Sequence, residues 1–595
     1  MKLVKVAAAV LNQTPLDWRH NLANIRAAIQ DARAAGVSVL CLPELCLTGY
    51  SCEDAFHAAD THGRAWSGLV ELLPETRGLV VSFGLPVLHQ NALFDAAALA
   101  VDGCLAGLVA KRFLAGDGIH YEPRWFKPWP ADLRDQFFAP EPCGGQQEFP
   151  LGDLCFDVGG VRLGFEICED AWVANRPGAA LARRGVDLIL NPSASHFAFG
   201  KLEVRRRFVI EGSRAFGATY LYANLLGNEA GRAIFDGGAL VASGGRMLAA
   251  GSRLGFRDRE LTSAVVDVEA TRMNQARTGS FQPDLPGAQS LRVRVDFAWP
   301  KLMPRQAAPG QAAPTPRDRC ERDATPDSRC PRSPGAVSAL AVQGQEYHSK
   351  AELWEPSPAW KEEEFTRAVA LALFDYLRKS RSQGFVVSLS GGADSAAVSC
   401  LASMSFELAL AELGAEGLRA KLSHTRGFPS APTPRALTER FLTTVYQATE
   451  NSGTVTRSAA RTIAEAIGAR HHEIDVSELH RGYVRLIEET IGRRLDWARD
   501  DIALQNIQAR VRSPGVWMLA NLEGALLLCT SNRSEAAVGY ATMDGDTSGG
   551  LCPVAGIDKA FLRRWLRWLE TQGPQGLHPI PALAAINAQQ PTAEL

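Results

Sequence analysis

The sequence has few cysteines for its length, and no two of them are spaced as Cys-x-x-Cys. It contains 12 cysteines in 595 residues, scattered along the chain. This scatter argues against a disulfide framework and against a structural zinc site, so we expect reduced thiols. The sequence also lacks an excess of charge of one sign, since its formal net charge is −2. A near-neutral chain does not predict a nucleic-acid partner.

Long hydrophobic runs are lacking as well. No charge-free apolar stretch reaches about 18 residues, the length that a membrane-spanning helix needs. Residues 1–6 lead directly into a predicted strand, without the apolar region of a signal peptide. We therefore expect a cytoplasmic protein without a membrane partner.

The length of the chain predicts at least two domains. In residues 1–300, β-like runs such as 37–42 alternate with helical stretches such as 21–35, which predicts an α/β domain. Residues 301–345 are rich in Pro, Ala, Arg and Asp and have no apolar period, so we expect a flexible linker. Residues 346–595 again alternate helical and strand patterns, which predicts a second α/β domain.

Three short segments of the first half each place one reactive side chain beside a predicted strand end. These side chains are Glu44 in Leu-Pro-Glu, Lys111 in Lys-Arg-Phe and Cys168 in Glu-Ile-Cys. A cysteine attacks an amide carbonyl as its thiolate, so it needs a base for its proton and a cation or N–H group for the oxyanion. The three residue types match these needs. Each alone is more often a packing or surface residue, so their joint occurrence carries the prediction.

In this order, the three segments resemble the nitrilase superfamily, which hydrolyses amides and nitriles. The resemblance implies an N-terminal α-β-β-α sandwich. It also implies that Glu44 is the general base, that Lys111 stabilises the tetrahedral intermediate and that Cys168 forms the acyl-enzyme. Glu122, eleven residues after Lys111, matches an auxiliary glutamate of the superfamily.

The resemblance extends to glutaminase members of the superfamily through residues 191–201. It implies that Ser195 and Lys201 hold the glutamine substrate. One position departs from the pattern, because these glutaminases often have a tyrosine where this chain has Asp117. We interpret His196 as a structural histidine rather than a catalytic one.

A Gly-rich segment, Ser-Gly-Gly-Ala-Asp-Ser at 390–395, separates a predicted strand at 385–389 from a predicted helix at 396–401. The paired glycines allow close approach and positive φ, and the helix N-terminus adds N–H groups and partial positive charge. These features predict a phosphate-binding loop whose Asp394 could hold Mg²⁺. The alternative is a strand-to-helix turn with a serine cap.

The loop lacks the lysine of a Walker-type loop and resembles the loop of ATP pyrophosphatases, enzymes that adenylylate a substrate and release pyrophosphate. The resemblance implies a Rossmann-like C-terminal domain. It implies ATP contacts from Ser390, Gly391, Gly392, Asp394 and Ser395.

Three later segments, at 505–512, 530–535 and 539–546, resemble the NAD synthetases. The resemblance implies that Glu535 joins Asp394 around Mg²⁺. It also implies the following contacts: Thr530, Lys559 and Thr592 with ATP, and Arg510 with deamido-NAD. Asp546 has two open interpretations, an orienting contact in the metal shell or the cap of a turn.

An ammonia-releasing amidase joined to an enzyme that activates a carboxylate indicates a glutamine-dependent amide ligase. The resemblances together imply amidation of deamido-NAD to NAD with ATP and glutamine as co-substrates, in an enzyme that assembles as a homo-oligomer. Alternatives are an amidotransferase of the same type acting on a purine nucleotide or tRNA, and a glutaminase whose second half only binds nucleotide. A further alternative is a non-catalytic protein that senses nucleotides or acts as a scaffold. Such a protein would be expected to lack a member of the triad, but Glu44, Lys111 and Cys168 are all present.

NAD synthetases continue past the Pro-Thr-Ala-Glu-Leu segment at 591–595 into a loop and a basic helical region that contact deamido-NAD. This sequence stops at Leu595. We therefore expect a C-terminally truncated chain in which part of the acceptor site is missing.

Overall fold

A computed structural model describes residues 1–139, 148–285, 290–302, 348–349, 354–450 and 452–589, with the backbone alone at 348–349. The predicted linker lies outside the described residues except for 301 and 302, and Thr592 also lies outside them.

Among the described residues, the first domain has two large sheets, the helices that cover them and a small sheet of two strands. Its strands are β1 Leu3–Leu11, β2 Val39–Cys41, β3 Val80–His89, β4 Ala92–Val101, β5 Cys104–Ala110, β6 Arg134–Phe138, β7 Glu148–Gly152, β8 Cys155–Val158, β9 Val161–Phe165, β10 Leu188–Ser193, β11 Thr219–Asn224, β12 Leu226–Asn228, β13 Ile234–Asp236, β14 Leu240–Ser243, β15 Arg246–Ala250, β16 Arg259–Asp267, β17 Arg292–Val295 and β18 His348–Ser349. Its helices are α1 Trp18–Ala34, α2 Thr61–Leu72, α3 Glu122–Trp125, α4 Pro177–Arg183, α5 Lys201–Ala215 and α6 Val268–Ala276, with short 3₁₀ turns at Glu53–His57, Leu73–Thr76 and Cys168–Ala171.

The two large sheets each have eight strands, in the orders β16-β1-β2-β3-β4-β5-β7-β6 and β17-β8-β9-β10-β11-β14-β15-β18, and the small sheet consists of β12 and β13. Strand β1 shows how they pack, because its side chains alternate between two cores. Val6 and Val10 face the core between the sheets, whereas Ala7 and Ala9 face Ile25 of α1 in the outer core. The predicted α-β-β-α sandwich is thus confirmed.

The local predictions for this domain hold with small shifts at the ends of elements. The helix predicted at 21–35 is α1, which begins earlier because the Asp17 side chain accepts the His20 N–H as an N-cap. Strand β18 lies beyond the predicted start of the second domain at 346, yet it pairs with β15. The first-domain sheet therefore takes one strand from the later part of the chain.

The second domain has one parallel sheet with helices on both faces. Its strands are β19 Phe385–Ser388, β20 Leu442–Ala448, β21 Arg470–Asp475 and β22 Leu526–Leu528. Its helices are α7 Trp360–Lys379, α8 Ala393–Lys421, α9 Pro434–Phe441, α10 Thr454–Ile467, α11 Ser477–Ile491, α12 Trp497–Arg510, α13 Ser513–Glu523, α14 Arg533–Val538, α15 Lys559–Thr571 and α16 Ala584–Asn587, with a 3₁₀ turn at Pro581–Leu583.

The order of this sheet, β21-β20-β19-β22, creates a switch point between β19 and β22. The chain moves from β19 to β20 on one side and later returns to β22 on the other. Ligands of open α/β sheets bind outside the carboxyl ends of the strands at such a point. The Rossmann-like prediction is confirmed, and the topology indicates where its ligand site lies.

Helix α8 is, among the described residues, the one helix long and apolar enough to cross a membrane by length and composition. It is not charge-free, since Glu407 and Glu412 lie within it. In its most apolar window, 67% of the residues are buried inside the protein. Helix α8 is a core helix of the second domain, packed against α7 and the sheet.

Polar side chains join α7 to the first domain in a buried contact. Asp375 accepts hydrogen bonds from Asn12 Nδ2 and from the Asn228 N–H, each at 2.9 Å. Lys379 Nζ donates to Asn12 Oδ1 at 2.5 Å and to the Gln13 carbonyl at 2.7 Å. Because α7 leads into β19, this contact ties the first domain to the element that precedes the Gly-rich loop.

Candidate active sites

The three predicted triad residues lie at the carboxyl ends of strands and meet inside the sandwich. Glu44 follows β2, Lys111 directly follows β5, and Cys168 follows β9. Lys111 Nζ donates to Glu44 Oε1 at 2.5 Å and to Glu122 Oε1 at 2.8 Å. All four side chains are at least 95% buried. The structure therefore brings together the nucleophile, base, cation and auxiliary carboxylate that the sequence predicts.

Burial governs the protonation of these groups. It raises the pKa of the Cys168 thiol, and the charge of Glu44 raises it further, while Lys111 opposes both. Burial likewise raises the pKa of Glu44 against the opposing charge of Lys111. For Lys111 itself burial lowers the pKa, but the surrounding carboxylates overcome this and raise it well above its usual value. Cys168 is therefore a neutral thiol at rest, beside a basic carboxylate and a permanent ammonium.

A group of three carboxylates, Glu44, Asp95 and Glu122, has oxygens within 4.8 Å of one another. Such a group suits a cation. The Lys111 ammonium fills this position, since it contacts Asp95 at 3.5 Å in addition to the two glutamates. We interpret the group as the lysine's counter-charge rather than as a metal centre.

The backbone at Cys168 has φ 44°, a left-handed conformation that is uncommon outside glycine. Asp170 holds this turn, because its Oδ2 accepts the Ile167 N–H at 2.9 Å and its Oδ1 accepts the Phe113 N–H at 2.9 Å. The carboxylate thereby joins the nucleophile's turn to the segment after Lys111. Sequence reasoning missed Asp170, although its position two residues after the nucleophile is a usable signal.

Ser195, which is predicted to hold the glutamine substrate, is buried next to a charged pair. Arg205 donates to Ser195 Oγ from Nε at 3.3 Å and from Nη2 at 3.1 Å. Arg205 also donates to Asp236 Oδ1 at 2.6 Å. Neither Arg205 nor Asp236 was predicted, and only the fold brings α5 and β13 together around the serine.

Lys201, the first residue of α5, lies at the end of a chain of polar side chains. Its Nζ is 3.2 Å from His196 Nδ1, and that atom is 2.7 Å from His120 Nε2. On the other side of this chain, His120 Nδ1 is 2.9 Å from the Tyr50 hydroxyl, which donates to Glu122 at 2.6 Å.

Burial also sets the charges along this chain. It lowers the pKa of His196 to about 3 and that of His120 to about 4, so both histidines are neutral. This agrees with a structural His196. Burial and the charge of Arg205 lower the pKa of Lys201 to about 8. Asp117 is exposed in the loop before His120.

The first part of the Gly-rich segment forms the turn between β19 and α8, but α8 begins at Ala393, three residues earlier than predicted, so Asp394 and Ser395 lie in its first turn. Ser395 Oγ accepts the Ser390 N–H at 3.2 Å and donates to the Gly392 carbonyl at 3.2 Å, which closes the loop. Gly391 has φ 79°, and a Cβ there would lie 2.1 Å from the Thr456 carbonyl oxygen. The loop therefore requires glycine at 391.

The predicted metal ligands lie on opposite sides of one lysine at the switch point. Lys559 Nζ binds Asp394 Oδ2 and lies 3.3 Å from Glu535 Oε1. Asn532, which caps α14, donates to Asp394 Oδ1 at 3.0 Å and was not predicted. Two partly exposed carboxylates that converge on one cation fit the oxygen ligands of Mg²⁺.

Thr530 follows β22 and therefore lies beside the end of β19, as an ATP contact requires. Arg510 ends α12, where its Nε donates to the Met543 carbonyl at 3.0 Å. Asp546 Oδ2 accepts the Thr542 N–H at 3.3 Å. Of the two open interpretations of Asp546, the structure shows the turn cap.

Comparison with known proteins agrees with this division into two sites. Residues 5–273 match the carbon-nitrogen hydrolases, and residues 365–595 match the NAD synthases. Over its full length the chain is 32% identical to the glutamine-dependent NAD(+) synthetase of Oryza sativa subsp. indica, covering 78% of that protein. It is 29% identical to the Homo sapiens enzyme of the same name, covering 81% of it.

Solved structures give the same result. The glutamine-dependent NAD(+) synthetase from Cytophaga hutchinsonii is 38% identical with a TM-score of 0.78, over 99% of this chain and 84% of that one. The enzyme from Acinetobacter baumannii, solved with adenosine diphosphate, shares the fold with a TM-score of 0.66 at 20% identity, over 99% of this chain and 86% of that one. From its sequence, its two sites and these relatives, the chain belongs to the glutamine-dependent NAD(+) synthetases.

Proposed function

We propose that the chain forms NAD from deamido-NAD in two steps at its two sites. Glutamine is hydrolysed in the first domain, and the ammonia released there amidates an adenylylated carboxylate in the second. The observation that carries this proposal is the buried contact of Lys111 with Glu44 beside Cys168, in a chain whose switch point carries a closed Gly-rich loop. Family membership argues against the alternative acceptors, a purine nucleotide or tRNA.

In the first step, the Cys168 thiol gives its proton to Glu44 and its sulfur attacks the γ-carbonyl of glutamine. The Lys111 ammonium stabilises the negative oxygen of the tetrahedral intermediate. The C–N bond breaks, ammonia leaves with the proton from Glu44, and a thioester remains. Water then gives a proton to Glu44 and attacks the thioester, which releases glutamate and returns the thiol. The raised pKa of Glu44 makes it a better proton acceptor.

Ser195 and Lys201 are placed to hold the amino-acid part of glutamine. Lys201 lies near the nucleophile, since ionisation of Cys168 would raise the pKa of Lys201. The Lys201 ammonium suits the substrate carboxylate. Ser195, whose Oγ accepts from Arg205, has a hydroxyl proton to donate.

In the second step, the loop formed by Ser390, Gly391, Gly392 and Ser395 holds ATP phosphates with its N–H groups and the α8 N-terminus. Thr530 lies beside the nucleotide, and Lys559 leaves the carboxylates to bind a phosphate. The part of the predicted ATP site at Thr592 lies outside the described residues.

We assign Asp394 and Glu535 as the ligands of Mg²⁺, because their carboxylates already converge on one cation. The ion would neutralise phosphate charge during adenylylation. Arg510, which is exposed beside the loop that contains Met543, would bind the deamido-NAD substrate. The nicotinate carboxylate attacks the α-phosphorus of ATP, pyrophosphate leaves, and ammonia then displaces AMP to give NAD.

We also propose that the chain is a homo-oligomer, and an apolar face of the second domain supports this. Helix α11 exposes a stripe at helical spacing that consists of Leu479, Tyr483, Leu486, Ile487 and Ile491. Trp517, Met518 and Leu522 of α13 are also exposed. An apolar surface of this extent is typical of an interface. Analytical ultracentrifugation tests the proposal: a dimer or larger species supports it, and a monomer at micromolar concentration rejects it.

The function is tested by incubating the full chain with glutamine, ATP and deamido-NAD. We expect NAD, AMP, pyrophosphate and glutamate in equal amounts. Glutamate release without NAD or AMP would support the alternative of a glutaminase whose second half only binds nucleotide. AMP formed with a different acceptor, but not with deamido-NAD, would reject the proposed substrate.

A further inference from the structure

One buried acid beside the triad has no function in the mechanism above. Asp95 lies on β4 and is 1% exposed. Its carboxylate is 3.5 Å from Lys111 Nζ. When both acids are ionised, no donor among the described residues reaches either oxygen of Asp95 or Oε2 of Glu44. A buried polar atom without a partner costs stability and needs an explanation.

The charges of the site supply that explanation. Glu44, Asp95 and Glu122 are three carboxylates against the single ammonium of Lys111, with oxygens within 4.8 Å of one another. When carboxylates lie this close together in a buried site, they cannot all ionise, and one of them retains a proton. The question is which of the three retains it.

The hydrogen bonds identify the protonated acid. Glu122 accepts from Lys111, from the Tyr50 hydroxyl at 2.6 Å and from the Ala115 N–H at 2.8 Å, so its charged form is well stabilised. Glu44 accepts from Lys111 at 2.5 Å. Asp95 accepts from no described donor and has the longest contact with the lysine.

We propose that Asp95 is protonated in the resting enzyme and donates its proton to Oε2 of Glu44, as a positioning residue for the general base. One hydrogen bond then satisfies an oxygen on each side chain. It fixes the carboxylate of Glu44 between Lys111 and Asp95, and it stabilises the charged form that accepts the thiol proton. Asp95 retains its own proton through the reaction, so the proton balance of glutamine hydrolysis is unchanged.

The electrostatics of the surroundings agree with this assignment. Burial raises the pKa of Asp95 well above its usual value, and the charges of Glu44 and Glu122 raise it further, while Lys111 opposes them. Cys168 also faces this group, through its interaction with Glu44 and Lys111, and is neutral at rest.

The inference rests on the proposed glutamine hydrolysis and is tested with Asp95→Ala and Asp95→Asn in the full chain. The measurement is glutamate release against pH, because the acid limb of kcat/KM reports the pKa of the base in the free enzyme. Asp95→Ala removes a donor to the charged Glu44. We therefore expect the acid limb to move up by about one pH unit and kcat to fall about tenfold, with KM for glutamine nearly unchanged.

Asp95→Asn is the conservative variant, since its amide is neutral and can donate to Glu44. We expect it to keep the acid limb near the wild-type position and to recover most of the kcat lost in Asp95→Ala. An ionised Asp95 predicts the opposite sign, because removal of a negative charge lowers the pKa of Glu44. A downward shift of the acid limb in both variants would overturn the proposal, and so would an unshifted limb in Asp95→Ala.

Two controls separate the possible failures. NAD formation from ammonium salts shows whether each variant is folded, and exposed Asp60→Asn tests for effects of an Asp change far from the site. If Asp95→Ala fails to fold, Asp95→Asn alone decides: an acid limb near the wild-type position supports the proposal, and a downward shift overturns it. If the wild-type chain releases no glutamate, the proposed function fails rather than this inference.

Discussion

At the scale of single residues, burial shifts the pKa values of the side chains that form the glutaminase site. Cys168 and Glu44 both have raised pKa values because they are removed from water. Lys111 keeps its charge only because carboxylates surround it. The neutral thiol is a weaker nucleophile than the thiolate, so its reaction depends on a base such as Glu44 that accepts its proton.

The lowered pKa of Lys201 leads us to expect that glutamine binding depends on pH. Its pKa is lowered to about 8, so the side chain loses its proton, and its attraction for a carboxylate, as the pH rises through that value. We expect KM for glutamine to rise about tenfold one pH unit above it, where about a tenth of these side chains remain charged. Initial rates of glutamate release check this. Lys201→Arg keeps its charge, so its KM should rise much less, and equal behaviour of both proteins would contradict the assignment.

We expect that adding a side chain at Gly391 causes a steric clash that impairs only the second site. In Gly391→Ala, the new Cβ would lie 2.1 Å from the Thr456 carbonyl at a strained φ of 79°. We expect NAD formation to fall at least about fivefold with either ammonia source, given about 1–3 kcal/mol of strain in the loop. Glutamate release should persist.

Two glycine variants control that experiment. Gly392→Ala, whose nearest neighbour would be Ser390 Oγ at 3.4 Å, should lose less activity. Gly63→Ala, with no atom within 4 Å of its Cβ, should behave as the wild type. Equal losses in Gly391→Ala and Gly392→Ala would argue against a steric cause.

At the scale of elements, the sequence predicts those residues whose function follows from a strand end or a helix start. Glu44, Lys111 and Cys168 each follow a strand, and Asp394 opens a helix, so local pattern and family resemblance suffice to place them. Asp95 and Arg205 could not be found in this way. Asp95 lies inside a strand, where only its cross-strand neighbours reveal a carboxylate in an apolar core, and Arg205 lies on a helix whose buried face the sequence does not specify.

We expect that removing the Asp375 carboxylate of α7, which lies in the contact between the domains, destabilises the protein. Its Asp375 has a lowered pKa because Arg378 and Lys379 outweigh the opposing effect of burial. Asp375→Ala removes the carboxylate that Arg378 contacts at 2.6 Å and that lies 3.9 Å from Lys379, and this should cost about 3 kcal/mol of stability. Thermal unfolding checks this as a lower midpoint. Asp60→Ala, at an exposed site, should change stability by less than about 0.5 kcal/mol, and similar midpoints for both variants would contradict the account.

At the scale of the whole molecule, the two reactions share one difficulty, which is the transfer of ammonia. An alkylamine has a pKa of about 10.4, and ammonia in bulk water at neutral pH is likewise mainly protonated and cannot attack. We therefore expect a sheltered passage between the sites. The buried contacts of Asn12 with Asp375 and Lys379 hold the domains in one arrangement, as such a passage requires.

The sequence could predict both folds, but not how the two halves meet. The domain contact depends on Asn12, Asn228 and Asp375, which are far apart in the chain and carry no local signal. The pairing of β18 with β15 likewise crosses the predicted boundary, because strand pairing is a property of the folded sheet. Deamido-NAD binding at Arg510 and the Mg²⁺ ligands stay predictions.

The division of labour between the domains is tested most directly by NAD formation in the Cys168→Ala variant. Without the thiol, no thioester forms and no ammonia is released from glutamine, whereas the second site receives ammonia from solution. The account predicts that glutamine-driven NAD formation is abolished and that NAD formation from ammonium salts stays near the wild-type rate. Equal loss of both activities, or full retention of the glutamine-driven one, would contradict it.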